Sequence, residues 1–406
     1  MLIYEYPKLY LSYSYILTAN TMIKRDITPE LIQSAKEYPI VTIIGPRQSG
    51  KTTLARMTFP DYQYCSLEDP DIRQFASDDP RSFLAKYAKN VIFDEIQRVP
   101  ELLSYLQGIV DNNSAKGQFI LTGSHQLTLR AEIAQSLAGR TALLTLLPLS
   151  ISEVLSVAHF ETKDDLLYKG LFPRIYNDNL NPSRAYASYY KTYIERDVRQ
   201  LINLKNIALF EKFLKLLAGR VGQVINFNSL SNDIGVSGTT LKEWLGVLEA
   251  SFIIFKLEPY FENFGKRVIK SPKIYFTDTG LLAYLLDIDS AKTMSRDPLI
   301  GHIFENLVVL DIVKSRLNKG LNPNIYFYRD SNGLEVDVLF KQGADLTPIE
   351  IKSSATFNKI FAKGIKKFQA LTDLTTKGYI IYAGDLTPDT EHYEVLNFLN
   401  TADIFG

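Results

Sequence analysis

The stretch Gly45-Pro46-Arg47-Gln48-Ser49-Gly50-Lys51-Thr52 constrains this chain more than any other, because it fits the pattern G-x-x-x-x-G-K-[ST] in full. Ahead of it, Ile40-Val41-Thr42-Ile43-Ile44 is a β-branched run that reads as a buried strand. Behind it, Thr53-Leu54-Ala55-Arg56-Met57 can continue as a helix. Strand, glycine loop and helix is the context in which this pattern grips phosphate. Glycines let the backbone curl so that successive N–H groups point inward at phosphate oxygens. The helix N-terminus adds positive partial charge. In such a loop Gly45 to Thr53 hold the nucleotide, Lys51 reaches the β- and γ-phosphates, and the Thr52 hydroxyl ligates Mg²⁺.

A second signature lies downstream. Val91-Ile92-Phe93-Asp94-Glu95 is an apolar run ending in two acids, the usual partner of a phosphate loop. Asp94 can hold the Mg²⁺ shell, and Glu95 can orient and deprotonate an attacking water. Phe119-Ile120-Leu121-Thr122-Gly123-Ser124-His125 is another buried strand with a polar end. Ser124 or Thr122 there reads either as a γ-phosphate sensor or as an ordinary strand end. Arg140, after Ser136-Leu137-Ala138-Gly139, reads equally as an arginine finger acting on a neighbouring subunit or as a basic residue at a helix C-terminus. Strands alternating with helices imply an α/β domain with a parallel sheet covered on both faces. A strand at 119–122 lying between the two motif strands would give the order of the additional-strand ATPases.

Length and composition narrow the class. A chain of 406 residues is too long for one core, so two or three domains are expected. Forty-five basic and 45 acidic residues cancel, so any basic surface is local. The single cysteine, Cys65, excludes an intrachain disulfide and fits a reducing, cytoplasmic setting. With four scattered histidines it makes a structural zinc site improbable. No apolar run reaches the length of a membrane span. Residues 1–21 are tyrosine-rich, lack the pattern of a signal peptide, and read as a loosely held extension, with Met22 as an alternative start.

Helical patterning resumes at 24–38, where Thr28 can cap and Pro29 can occupy the first position. Residues 159–204 read as a helical linker; the alternating charges at 191–199 mark a solvated face. From 205 to 262 the order is helix, helix capped by Asn228, tight turn at Gly235, helix 238–250, then a strand at 252–257. That order is the winged-helix order, read either as a DNA-binding module using Ser237, Thr239, Thr240 and Lys242 or as a docking domain. The third helix is poor in Arg and Lys, which weakens phosphate attraction. A basic stretch at 265–273 leads into the last domain.

That domain begins with an apolar helix at 301–314 carrying Glu305. Asp330-Ser331-Asn332-Gly333 then reads as a hairpin turn between strands 324–328 and 335–340. In the next strand, Ile349-Glu350-Ile351-Lys352, alternation puts Glu350 and Lys352 on one face. If Asp337 faces the same way, two carboxylates and an ammonium converge. With Glu305 they can hold Mg²⁺ for phosphodiester chemistry, or they form a salt bridge on a solvated face.

In combination these motifs resemble a group of prokaryotic AAA+-like ATPases with a C-terminal restriction-endonuclease-like domain. The resemblance rests on GPRQSGKT, VIFDEIQRVPEL, LTGSH, SLAGRTALLTLLPLS, SPKIYFTDTGLLAYLL, EVDVLF and IEIKSS, and runs from about Met22 to the C-terminus. It implies ATP as ligand with Mg²⁺ and ATP hydrolysis. It also implies a PD-(D/E)xK-type fold with Asp337, Glu350 and Lys352 at the motif positions, where Val336 replaces the motif's proline. The expected organisation is therefore an extension (1–21), an ATPase domain (22–158), the linker (159–204), a winged-helix-like module (205–262) and a nuclease-like α/β domain (263–406). The expected function is an ATPase whose nucleotide cycle controls a DNA-directed C-terminal half, acting as a homo-oligomer. Its alternatives are an ATP-gated metal-dependent nuclease and an ATPase with a non-catalytic docking domain.

Overall fold

Five short strands build the first domain: β1 (Ile40–Ile44), β2 (Gln63–Ser66), β3 (Val91–Asp94), β4 (Phe119–Gly123) and β5 (Thr141–Thr145). The computed structural model describes residues 22–113, 115–124, 133, 135–193, 207–261 and 271–405. β1, β3 and β4 are buried along their whole length, as central parallel strands covered on both faces must be. β2 and β5 are partly exposed and take the edges. The order is β2-β3-β4-β1-β5, all parallel. β4 thus separates the two motif strands, which is the additional-strand order.

Local corrections concern caps. The helix expected from Lys24 runs Thr28–Glu37 after Ile27; Pro29 is in its first turn, but Thr28 turns its hydroxyl back to the Arg25 carbonyl instead of capping. After β2, Asp79 ends the helix Pro70–Asp78 and caps the next one, Pro80–Lys86. The helix Phe227–Ile234 is capped by Asn226, not Asn228; the Asn226 side chain accepts from the Ser229 N–H. The extension 1–21, His125, most of the charged run 191–199, and the basic stretch up to residue 270 lie outside the described residues.

The middle of the chain packs helices Ile207–Ala218, Phe227–Ile234 and Gly238–Ala250 around Phe213, Leu241, Trp244 and Leu245. β6 (Ile254–Leu257) follows and pairs antiparallel with β7 (Lys273–Phe276); Val224 bridges to Lys273 on the other side. This hairpin crosses the boundary expected after residue 262.

The last domain holds the helix Ile300–Leu317 and strands β8 (Ile325–Arg329), β9 (Glu335–Gln342), β10 (Asp345–Lys352), β11 (Gly378–Tyr382) and β12 (Tyr393–Asn397). They form one sheet ordered β12-β11-β10-β9-β8, antiparallel at β8-β9-β10 and parallel from β10 to β12. The helix Lys363–Gln369 crosses from β10 to β11.

Residues 303–314 of the long helix are all buried, so it packs on every side. Its polar side chains find partners in the other domains. Asp311 Oδ1 accepts from the Ile151 N–H at 2.8 Å, and Lys314 Nζ donates to the Leu149 carbonyl at 2.8 Å, both just past β5. The Asn306 amide bonds both backbone groups of Phe276 in β7. Burial pushes the Asp311 carboxyl up to about 6, despite the Ile151 N–H, and pulls the Lys314 ammonium down to about 8.

This has a consequence for pH. The Asp311 carboxyl binds its proton more tightly folded than unfolded, where its ordinary value is about 3.9. Between roughly pH 4 and 6 the folded state therefore holds more protons, and stability falls as pH rises through that window. Asp311→Asn keeps the acceptor oxygen and removes the titration. Relative to that variant, the wild type should lose on the order of 2 kcal/mol across the window, read from urea midpoints; parallel pH profiles would refute the assignment.

Candidate functional site

The loop after β1 is shaped by two glycines. Gly45 sits at φ +157°, and a Cβ there would lie 2.0 Å from the Leu146 carbonyl oxygen. Gly50 takes the left-handed φ of +91° as the N-cap of the helix Lys51–Thr58. Neither position accepts a side chain without rebuilding the loop. Lys51 is buried, and its Nζ donates to the carbonyls of Gly45 (3.0 Å) and Pro46 (2.8 Å). Desolvation lowers its pKa to about 8, against the opposing pull of Glu95 and Asp94. An ammonium held by neutral carbonyls inside a curl of N–H groups is a site for an anion.

The end of β3 completes the arrangement. Asp94 Oδ1 accepts from Thr52 Oγ1 at 2.8 Å and from the Thr122 hydroxyl, while Oδ2 accepts from Tyr64 OH at 2.8 Å. Thr52 and Asp94 are thus adjacent, as a shared Mg²⁺ shell requires. Burial and then the Asp94 charge push the Tyr64 phenol up to about 12. Glu95 adopts the left-handed φ of +57°, and its N–H donates to Thr122 Oγ1. Ser124 Oγ donates to Glu95 Oε2 at 3.0 Å, and the Gln97 amide bonds both. The two hydroxyls at the end of β4 therefore divide the work: Thr122 serves Asp94 and Ser124 serves Glu95.

A cavity of about 650 Å³ opens beside the loop, within the usual range for a nucleotide-sized ligand. Arg47, Lys51, Thr52 and Glu95 line its polar end, and Ile23, Ile32 and Met57 its apolar end. Pro173, Arg174 and Asn177, from the helix Pro173–Asn177, face the loop from beyond the sheet. Arg47 stacks over the Tyr193 ring at 5.6 Å.

Sequence reasoning missed Arg25. Its guanidinium is buried, donates to the carbonyls of Ser49 (2.6 Å) and Leu147 (2.7 Å), and pairs with Glu153 at 3.0 Å. Tyr64, Gln97 and Arg174 were missed too. Of these only Gln97, two residues past Glu95, carried a local signal. Arg140 is held on the surface by both oxygens of Asp111, at 2.6 and 2.9 Å, and does not line the cavity of its own chain.

A second cluster forms on β9 and β10. Lys352 Nζ lies 2.6 Å from Glu350 Oε1 and 3.4 Å from Asp337 Oδ2, which also accepts the Ile351 N–H. The three side chains converge. Burial, then the neighbouring Asp337 charge, push Glu350 up to about 8. Glu305 is engaged elsewhere: Tyr275 OH (2.5 Å) and Lys273 Nζ (3.2 Å) bond its Oε1, and Lys273 also pairs with Glu335 at 2.8 Å. Burial opposes its ionisation, but the Lys273 charge and the hydrogen bonds from His302, Tyr275 and Lys273 together outweigh it and hold Glu305 at about 2. Among the described residues no group of three or more His, Cys, Asp and Glu side chains is gathered to hold a metal ion. Among them also no helix is long and apolar enough to cross a membrane.

Residues 37–155 match the model of an AAA domain, so the first domain is an AAA-type P-loop ATPase domain, which supports nucleotide binding at the loop. Residues 161–292 and 300–400 match two domains of unknown function, DUF8612 and DUF4143. Among solved structures, the Walker-type ATPase PABY2304 of Pyrococcus abyssi is similar at 14% identity and a TM-score of 0.42, over 65% of this chain and 96% of that one. AMPPCP-bound DnaA from Aquifex aeolicus is similar at 16% identity and a TM-score of 0.29, over 55% and 85%. The uncharacterized protein MJ1544 of Methanocaldococcus jannaschii is 26% identical, over 87% of this chain and 82% of its own. The uncharacterized protein Rv2008c of Mycobacterium tuberculosis is 32% identical over 339 residues, 82% of this chain and 74% of its own. At that identity and coverage, the chain belongs to the same family as Rv2008c, a family of AAA-domain proteins.

Proposed function

We propose that this protein is a Mg²⁺-dependent ATPase whose nucleotide cycle controls its C-terminal half. The observation that carries the reading is the convergence of Lys51, Thr52 and Glu95 on one cavity, with Asp94 hydrogen-bonded to Thr52 beside it. The loop N–H groups and Lys51 bind the phosphates. Thr52 and Asp94 hold Mg²⁺, which offsets charge on the β- and γ-phosphates. Glu95 orients the attacking water and takes its proton, and Ser124 and Gln97 fix the direction of its carboxylate. In a homo-oligomer, release from Asp111 would let Arg140 act on a neighbouring copy. The single buried Cys65 suits a cytoplasmic setting.

Control of the C-terminal half is supported by a continuous polar path. Ser49 of the loop accepts from Arg25, and Arg25 pairs with Glu153. Glu153 accepts the N–H of Ser150, the N-cap of the helix Ile151–Leu155, whose first N–H is bonded by Asp311. Asp311 lies two turns along the same helix from Glu305. A shift of the loop on nucleotide binding has a packed route to that helix. The three helices and hairpin of the middle module have winged-helix order. Lys242 of the third helix sits over the Phe227 ring at 5.6 Å, and that helix carries no other Lys or Arg, so protein docking suits this module better than duplex reading.

The convergence of Asp337, Glu350 and Lys352 supports a second reading. In it the last domain has a PD-(D/E)xK nuclease-like fold, with the carboxylates taking Mg²⁺ and Lys352 aiding the nucleophile. The raised Glu350 pKa requires a metal to displace a proton there, so metal binding should strengthen as pH rises toward 8.

Two measurements test these readings. Lys51→Ala should abolish phosphate release from ATP, and Glu95→Gln should cut it by roughly 10²–10⁴-fold while ATP affinity by calorimetry holds; wild-type turnover in either variant defeats the ATPase reading. Asp337→Ala should remove any Mg²⁺- or Mn²⁺-dependent cleavage of DNA or RNA. A wild-type protein that cleaves no form with either metal leaves the last domain as a docking unit.

A further inference from the structure

Residues 351–372 contain five lysines and no Asp or Glu, in a chain whose 45 basic and 45 acidic residues balance as a whole. One of the five, Lys352, belongs to the carboxylate cluster. The other four, Lys359, Lys363, Lys366 and Lys367, are all exposed. Lys363, Lys366 and Lys367 stand at i, i+3 and i+4 on one face of the helix Lys363–Gln369, and Lys359 lies in the 3₁₀ turn Lys359–Ala362 just before it. The opposite face, Ile365 and Phe368, is buried in the domain. None of the four lysines takes part in an ion pair or side-chain hydrogen bond; Lys366 only lies over the Tyr393 ring at 5.7 Å. Other exposed lysines, such as Lys89 and Lys116, are unpaired too; what distinguishes these four is that they stand together with no acid among them.

The position of this face is informative. A Cβ on Gly364 would come within 3.0 Å of Glu350 Oε2 and 2.9 Å of the Glu335 carbonyl, so the start of the helix abuts the carboxylate cluster. Lys363 immediately precedes Gly364. Four like charges held without counter-ions beside Asp337, Glu350 and Lys352 suit a polyanion laid across both.

We propose that Lys359, Lys363, Lys366 and Lys367 form a docking face for the phosphate backbone of a nucleic acid. This rests on the reading that the C-terminal half is directed at nucleic acid. An anionic membrane is the other polyanion of suitable size. A membrane-binding helix sets a row of apolar side chains beside its cations. Here the helix buries its apolar residues, and only Ile360, 64% exposed, projects near the lysines.

The test uses the full chain and the triple variant Lys363→Gln, Lys366→Gln, Lys367→Gln. Binding to a short fluorescein-labelled DNA duplex, and to matching single strands of DNA and RNA, is followed by anisotropy over a salt series. Three lost phosphate contacts should flatten the slope of log K against log salt by roughly 2.7 and weaken binding about 100-fold at ~0.15 M salt, whatever the sequence. A control, Lys89→Gln with Lys116→Gln on the ATPase domain, should bind like the wild type. Far-UV circular dichroism and melting confirm that each variant is folded. Unchanged affinity and slope in the triple variant overturn the proposal but leave a nucleic-acid-directed protein. A wild type that binds no nucleic acid overturns both, as does lysine-dependent capture by phosphatidylglycerol vesicles alone. ATP turnover without nucleic acid should be equal in all three proteins, so the ATPase reading stands or falls separately, on Lys51→Ala.

Discussion

A helix buried on all sides cannot leave a charge unanswered, and the helix Ile300–Leu317 buries both a carboxylate and an ammonium. The partners of Asp311 and Lys314 are backbone groups of residues 149–151, immediately past the ATPase sheet. Removing the first domain would take away both partners together with the surface that covers them. The last domain is therefore held by the first through its polar bonds as well as by apolar packing. Asn306 ties the same helix to β7 in the same way. One helix thus joins all three parts of the chain, and its N-terminal half carries Glu305 toward the second cluster.

Arg25 does at the nucleotide site what Asp311 does at the junction. Two of its nitrogens answer carbonyls from separate segments, the phosphate loop and the chain after β5, and a third answers Glu153. A guanidinium holds its N–H donors rigidly in one plane, so movement of the Ser49 carbonyl alters its fit to the other two partners. Glu153 in turn accepts from Asp26 N–H and Ser150 N–H. The loop is not an isolated grip. Its backbone geometry is written into the bonds that position the helix after β5.

How much of this was legible in the sequence depends on range. The phosphate loop, β1, β3 and the alternation on β10 are local patterns, and each could be read from its own residues. Lys352 meeting Glu350 follows from a two-residue repeat. Asp337 joining them depends on the β9–β10 register, which pairs Val338 with Ile349 and which no local pattern states. Arg25 and Tyr64 reach the site from other elements, across 24 and 30 residues of chain, and nothing beside them in sequence marks their targets. One cap was misplaced for a related reason: Asn226 and Asn228 are equally able to cap by residue type, and nothing beside them in sequence marks Asn226 as the cap. The boundary after 262 failed to allow for β7, because a hairpin partner can lie well beyond the turn.

The two clusters are built from the same residue types with opposite electrostatic outcomes. Lys51 bonds only neutral carbonyls, and its burial lowers its pKa. An incoming phosphate supplies the counter-charge that the loop withholds, so the site gains most from an anion. Lys352 is already paired with Glu350 and Asp337, and despite its burial those two carboxylates raise its pKa. That cluster is neutralised from within. A cation arriving there must compete with Lys352 for Glu350, and an anion meets two carboxylates. The unpaired lysines just outside, at the start of the next helix, reverse that sign. On the docking proposed for Lys359, Lys363, Lys366 and Lys367, that lysine face is the side from which an anionic chain would approach the second cluster.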